Sequence, residues 1–151
     1  MPIQHILAPF DFSPYADQAL AYAIELAQTL QARLTLLHAI DTTPLGMAES
    51  AALRPPSYWV ELETGIAEGM EEPLARVHQA GLQGETAIVQ GVPFQTIIET
   101  ARDKGVDLIV MGTHGRTGLT HVLMGSVAEK VVRLAPCPVL VTRGSPETSA
   151  A

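Results

Sequence analysis

Asp107-Leu108-Ile109-Val110-Met111-Gly112-Thr113-His114-Gly115 is the stretch that decides the fold of this chain. A short unbroken apolar run suits a parallel strand covered by helices on both faces, because neither side of it meets water. Gly112 ends the run, and Gly125-Ser126-Val127-Ala128-Glu129-Lys130-Val131-Val132 then takes up a helical pattern. A strand is thus handed to a helix through a glycine-rich loop. Glycine permits positive φ and lets a ligand approach backbone N–H groups, and a helix N-terminus favours an exposed anion by roughly 0.3–1 kcal/mol. Such a junction suits a phosphate, with Ser126 placed to cap the helix and to donate to a phosphate oxygen. Taken singly, the glycines read equally well as a tight loop and Ser126 as a cap alone. Their occurrence together with the helical pattern favours the anion.

Outward from this junction, strand-like and helix-like segments alternate, which specifies an α/β sheet rather than a bundle or a sandwich. Ile3 to Pro9 reads as the first strand. Ser13-Pro14 starts a helix whose Ala16, Leu20, Ala23, Ala27 and Leu30 form one apolar stripe. Arg33 to Ile40 is a second strand, too apolar for an exposed ribbon. Asp41 to Ser57, with Pro44, Gly46, Pro55 and Pro56, reads as a long mobile loop. The spacing of Leu62, Ile66, Met70, Leu74 and Val77 predicts one helix from about Tyr58 to Ala80, kinked or interrupted at Pro73. Glu85 to Gln90 is a third strand. Pro93 opens a helix that ends at Gly105, the Asp107 run is the fourth strand, and Val139-Leu140-Val141 is the fifth. The tail 144–151 is small and polar and is expected to be disordered, leaving one domain over 1–143. Helical crossovers between the strands imply right-handed βαβ units and a doubly wound sheet.

Composition agrees and excludes. The 151 residues, 47% hydrophobic and 17% charged, are enough for one sizeable core. A net charge of −7 argues against a nucleic-acid or anionic-membrane surface, both of which need clustered Lys and Arg. No apolar run approaches a membrane span, and the N-terminus lacks the basic start of a secretory signal, so a cytoplasmic protein is expected. The single cysteine, Cys137, excludes an internal disulfide framework and reads as a small buried residue.

Gly112-x-x-Gly115, nine residues, then Gly125-Ser126 resembles the nucleotide-binding signature of the universal stress proteins. The resemblance extends through Gly115-Arg116-Thr117-Gly118-Leu119, Ala135-Pro136-Cys137-Pro138-Val139-Leu140-Val141 and Ile6-Leu7-Ala8-Pro9-Phe10-Asp11-Phe12-Ser13, which is essentially the whole chain. It implies an ATP-binding member of that family: a small stress-response protein, commonly dimeric, with an open five-stranded parallel Rossmann-like sheet of order 3-2-1-4-5. In that order the carboxyl ends of the first and fourth strands line one crevice, the place where open α/β sheets bind ligands. By resemblance, Pro9, Phe10, Asp11 and Ala39 would surround adenine, Met111 and Gly112 the ribose, and Gly115, Gly125, Ser126 and Val127 the phosphates. Phe10 stands where a smaller residue is often found.

Asp11 admits two readings on chemistry alone. A carboxylate directly after an apolar strand can hydrogen-bond a base or organise a metal, or it can bond free N–H groups at the start of the next helix. His114 and His121 lack the ligand set and spacing of a zinc site, so no metal ligand is assigned. His114 and Arg116 are either phosphate contacts or exposed loop side chains, and Lys130 reads as a solvated helix residue. Mg2+ or Mn2+ would arrive with ATP, carried by phosphate oxygens. No catalytic residue is assigned. The chain has no P-loop, no dinucleotide fingerprint and no nucleophile elbow, so at most slow ATP hydrolysis is expected.

Three functions remain open at this stage. The first is a nucleotide-dependent regulatory module acting on an unidentified protein partner, the second a weak ATPase or phosphotransferase. The third is a dimeric interaction protein that ignores nucleotide. A homodimer through Val139, Leu140 and Val141 is expected from the resemblance, and the absence of a lysine on that edge strand agrees with it.

Overall fold

A computed structural model describes residues 2–42, 53–114 and 124–143. Its strands are β1 (His5–Pro9), β2 (Arg33–Asp41), β3 (Gly84–Gly91), β4 (Leu108–Gly112) and β5 (Val139–Thr142). The helices are α1 (Pro14–Leu30), α2 (Pro56–Gly69), α3 (Glu71–Gln79), α4 (Pro93–Asp103) and α5 (Ser126–Leu134). All pairings are parallel and the order is β3-β2-β1-β4-β5, as the family resemblance implied.

Strand parity divides the core into two layers. On one face Ile6, Ala8, Leu34, Leu36 and Val110 pack with α1 and with Met70 and Val77 beside or within α3. On the other, Leu7, Leu37, Ile109 and Met111 pack with Ile97 and Ala101 of α4 and Ala128 and Val131 of α5. Successive residues of β1, β2 and β4 are buried on opposite sides, which is why these strands read as unbroken apolar runs. β3 has no fully buried residue, consistent with its place at the sheet edge.

α1 starts as its sequence implies. Ser13 accepts a hydrogen bond from the Ala16 N–H at 3.1 Å and Pro14 occupies the first helical position. Its buried stripe includes Ala19 and excludes Leu30, which is exposed at the last turn. α4 ends by donating from Val106 N–H to Ala101 O and from Gly105 N–H to Arg102 O, with Gly105 at φ 63°. This left-handed closure is the one that favours glycine.

Two expectations are corrected. The single helix from Tyr58 to Ala80 is two, and it starts earlier, at Pro56. The break falls at Met70 rather than at Pro73, because the proline ring has no N–H and crowds the carbonyl four residues before it, that of Gly69. Pro73 itself sits comfortably in the first turn of α3. The loop reading over Asp41 to Ser57 is too long at both ends, since Asp41 closes β2 and Pro56 and Ser57 open α2. Residues 43–52 and the tail 144–151 lie outside the described residues.

Candidate functional site

The carboxyl ends of β1 and β4 lie side by side, in the register that sets Ile6 against Leu108 and Leu7 against Ile109. β2 flanks them, with Pro9 opposite Leu37. Ala39 therefore lies just beyond the end of β1, half-buried and paired with Val89 of β3. Met111 is buried in the α4–α5 layer, so its side chain floors the crevice rather than lining an open surface. Gly112 is needed for close approach, but to protein: a Cβ there would sit 3.0 Å from the carbonyl oxygen of Tyr15 in the first turn of α1.

Asp11 takes up the helix-start arrangement, its Oδ1 accepting the Ser13 N–H at 3.0 Å. It is half-exposed in the turn between β1 and α1. Both neighbours of Asp11 are anchored. Phe10 is buried in the α1 layer, its N–H donates to Leu37 O at 2.7 Å, and its carbonyl accepts from His38 Nδ1 at 2.8 Å. Phe10 thus shapes the turn with its whole backbone, and its N–H is not free for a base. Phe12 adopts φ 65°, a left-handed conformation that costs a side-chain-bearing residue roughly 1–2 kcal/mol. Its ring meets Phe10 edge-on at 5.2 Å and His38 at 5.1 Å. It also packs against Gly69, where a Cβ would come within 3.1 Å of the ring.

At the other side of the crevice, Thr113 joins three elements. Its N–H and Oγ1 both donate to Thr142 O of β5, at 3.0 and 2.8 Å, and its carbonyl accepts the Gly125 N–H at 2.6 Å. The end of β4 and the start of α5 are therefore tied directly together. Gly125, not Ser126, is the N-cap of α5, and among the described residues no side chain caps this helix. The capping role read for Ser126 is corrected: it is the first helical residue, and it is exposed. A residue already in helical geometry cannot fold its hydroxyl back onto the amides that an N-cap reaches. Ser126 and half-buried Val127 contribute first-turn N–H groups, which have no acceptor within their own helix. Gly115, Arg116 and His121 lie outside the described residues, while the ring of half-buried His114 packs on Tyr15 at 5.3 Å. Lys130 is not simply solvated, since its Nζ lies 4.8 Å from the centre of the Phe94 ring.

Sequence reasoning missed His38 and Phe12. The available signal was a polar residue inside an apolar strand, which must find a partner once buried. A second instance is His5, also buried. Thr35 gives its hydroxyl proton to Glu85 Oε1 at 3.0 Å, so the His5 Nε2 must donate to Thr35 Oγ1 at 2.7 Å. Burial and then the Arg33 charge hold the His5 pKa below its ordinary value, against the Lys104 backbone, Glu85 and Asp107. This chain of groups lies at the amino end of the sheet, remote from the crevice. A cleft of about 550 Å3 at that same end is walled by Gln28, Gln31, Arg33 and the carboxyl ends of α1 and α3. Helix C-termini present carbonyls, the wrong polarity for phosphate. Among the described residues no cluster of His, Cys, Asp and Glu could hold a metal ion. No described helix is long and apolar enough to cross a membrane. Cys137 is half-buried, and burial raises its thiol pKa.

The family model for universal stress proteins matches residues 2–143. The chain is 34% identical to universal stress protein MJ0577 of Methanocaldococcus jannaschii, over 91% of this chain and 93% of that one. The solved structure of MJ0577 superposes with a TM-score of 0.85, covering 96% and 99% of the two chains at 32% identity. UspA from Lactobacillus plantarum superposes with a TM-score of 0.80 at 30% identity, covering 95% and 99%. A universal stress protein solved in complex with cAMP superposes with a TM-score of 0.68 at 25% identity, covering 96% and 100%.

Proposed function

The chain belongs to the universal stress protein family, and from that premise we propose that it is an ATP-binding regulatory module of the stress response. One observation carries the reading: α5 opens on Gly125, with no side-chain cap among the described residues, tied against the end of β4, so its first-turn N–H groups suit an anion. The donor set fits a nucleotide. Asp11 and the backbone near Ala39 serve the base, with Pro9 and Phe10 shaping that end. Met111 and Gly112 lie beneath the ribose, and Gly115, Gly125, Ser126 and Val127 take the phosphates. The cAMP complex of a relative supports an adenine nucleotide as the ligand class. Mg2+ or Mn2+ would ride on the phosphates, since the described residues supply no cation cluster of their own.

Calorimetric titration of nucleotide-stripped protein with Mg-ATP tests this, with Gly125→Asp as control. Asp is a favourable N-cap, so the variant should keep α5 while placing a negative charge where the phosphates would lie. Saturable micromolar binding that is lost in the variant is the expected result. No binding by the folded wild-type protein overturns the proposal.

The same reading includes a homodimer through β5. This strand is the sheet edge beyond β4, its Val139, Leu140 and Val141 are only half-buried, and Val132 and Leu134 of α5 are exposed. An open apolar edge invites pairing with a second copy. Sedimentation over a range of protein concentrations should give a dimer that a Leu140→Lys substitution dissociates.

A further inference from the structure

We propose that His38 is a positioning residue for the base end of the nucleotide site, fixing the direction of the Asp11 carboxylate and with it the choice of base. The inference rests on the proposed nucleotide-binding function.

His38 is buried on β2, and its Nδ1 lies 2.8 Å from the Phe10 carbonyl oxygen. A carbonyl only accepts, so Nδ1 carries the proton and the ring's tautomer follows. The Phe10 N–H is held from the same strand by Leu37 O at 2.7 Å. β2 therefore grips the residue before Asp11 at both of its backbone groups. It also governs the residue after Asp11, because the Phe12 ring rests 5.1 Å from the imidazole while its backbone is left-handed at φ 65°. Such a conformation persists only where its surroundings over-determine it. Between these two anchored neighbours the Asp11 carboxylate is oriented by the Ser13 N–H, which donates to its Oδ1 at 3.0 Å. One buried side chain thus touches both neighbours of Asp11.

Direction matters because a carboxylate reads donors only. Adenine presents a donor at its 6-amino group, whereas guanine has an acceptor there and carries its donors at N1 and the 2-amino group. A carboxylate displaced by a relaxed turn loses its preferred edge, so base choice should change more than phosphate binding does.

The test measures dissociation constants for Mg-ATP and Mg-GTP with wild type, His38→Leu and His38→Asn, with circular dichroism confirming the fold. His38→Leu removes the donor, while the Asn amide nitrogen can stand in for Nδ1. The expected result is a wild-type preference for ATP that collapses about tenfold or more in His38→Leu, the worth of one hydrogen bond to a charged group, with the Asn variant restoring most of it. Phe12→Ala, which removes the ring resting on the imidazole and so the other half of the His38 support at a more exposed position, serves if the Leu variant does not fold. Equal losses for both nucleotides mean a merely structural role and overturn the inference, as does unchanged preference in a folded variant or no preference in wild type. Absence of any ATP binding by wild type strikes the underlying function instead, and is seen before any His38 variant is made.

Discussion

Gly112→Ala should destabilise the protein whether or not a ligand is bound. The added Cβ would lie 3.0, 3.1 and 3.2 Å from the O, Cβ and C of Tyr15, whereas ordinary contact begins at 3.4 Å. Two of these neighbours are backbone atoms in the first turn of α1, which Ser13 caps and Pro14 stiffens, so they cannot rotate away. The end of β4 and α1 must separate by a few tenths of an ångström. Overpacking of this kind costs roughly 1–3 kcal/mol, and the smaller entropy of the unfolded alanine chain returns about 0.4–1 kcal/mol. The midpoints of these ranges leave a net loss of about 1.3 kcal/mol, or roughly 3–5 °C in Tm for a domain of this size. Equilibrium urea unfolding checks it: the midpoint should fall by roughly 0.5–1 M with an unchanged slope. A variant as stable as wild type would refute the close-approach argument. The consequence for binding studies is direct, because affinity lost in Gly112→Ala would report a displaced helix before it reported a missing ligand contact.

Other expectations follow from the same geometry. Gly65, inside α2 with nothing within 4 Å of where an alanine Cβ would stand, should tolerate that substitution and gain about 0.5–1 kcal/mol, read as a higher thermal midpoint. Ser13→Ala should cost about 1 kcal/mol by removing the α1 cap, while Ser126→Ala should stay within about 0.5 kcal/mol; chemical denaturation of the pair separates cap from non-cap. The His5 pKa is held below the free value of 6.5, so protons favour the unfolded chain. Stability should be full above that pH and decline as the pH falls through it towards the folded value, before the Glu85 contribution fades below its ordinary 4.5. Unfolding curves of wild type and His5→Gln across this window should differ in slope, and identical slopes would remove His5 as the cause.

How much of this was legible beforehand depended on whether the deciding partner was close in sequence. Apolar runs, Ser13-Pro14 and Gly105 carry their own meaning locally, and they gave five strands, the start of α1 and the end of α4. Pro73 was seen, but its effect lands on the Gly69 carbonyl, so the break was expected three residues too late. Gly125 and Ser126 differ by one helical position, and periodicity cannot separate a cap from a first residue at that resolution. His38, His5 and Thr35 were passed over because strand reading counts apolar residues. Their partners lie across the sheet, at Phe10, Glu85 and Asp107, where the chain order gives no hint of proximity. Gly112 was rightly singled out as a point of close approach, yet the atoms approaching it belong to Tyr15.

The 2.6 Å bond between Thr113 and Gly125 fastens the end of β4 to the start of α5. It works as a clasp, fixing the distance between the two elements without reference to the residues between them in sequence. Because Thr113 also grips Thr142 of β5, loosening this one residue would slacken strand, edge and helix together.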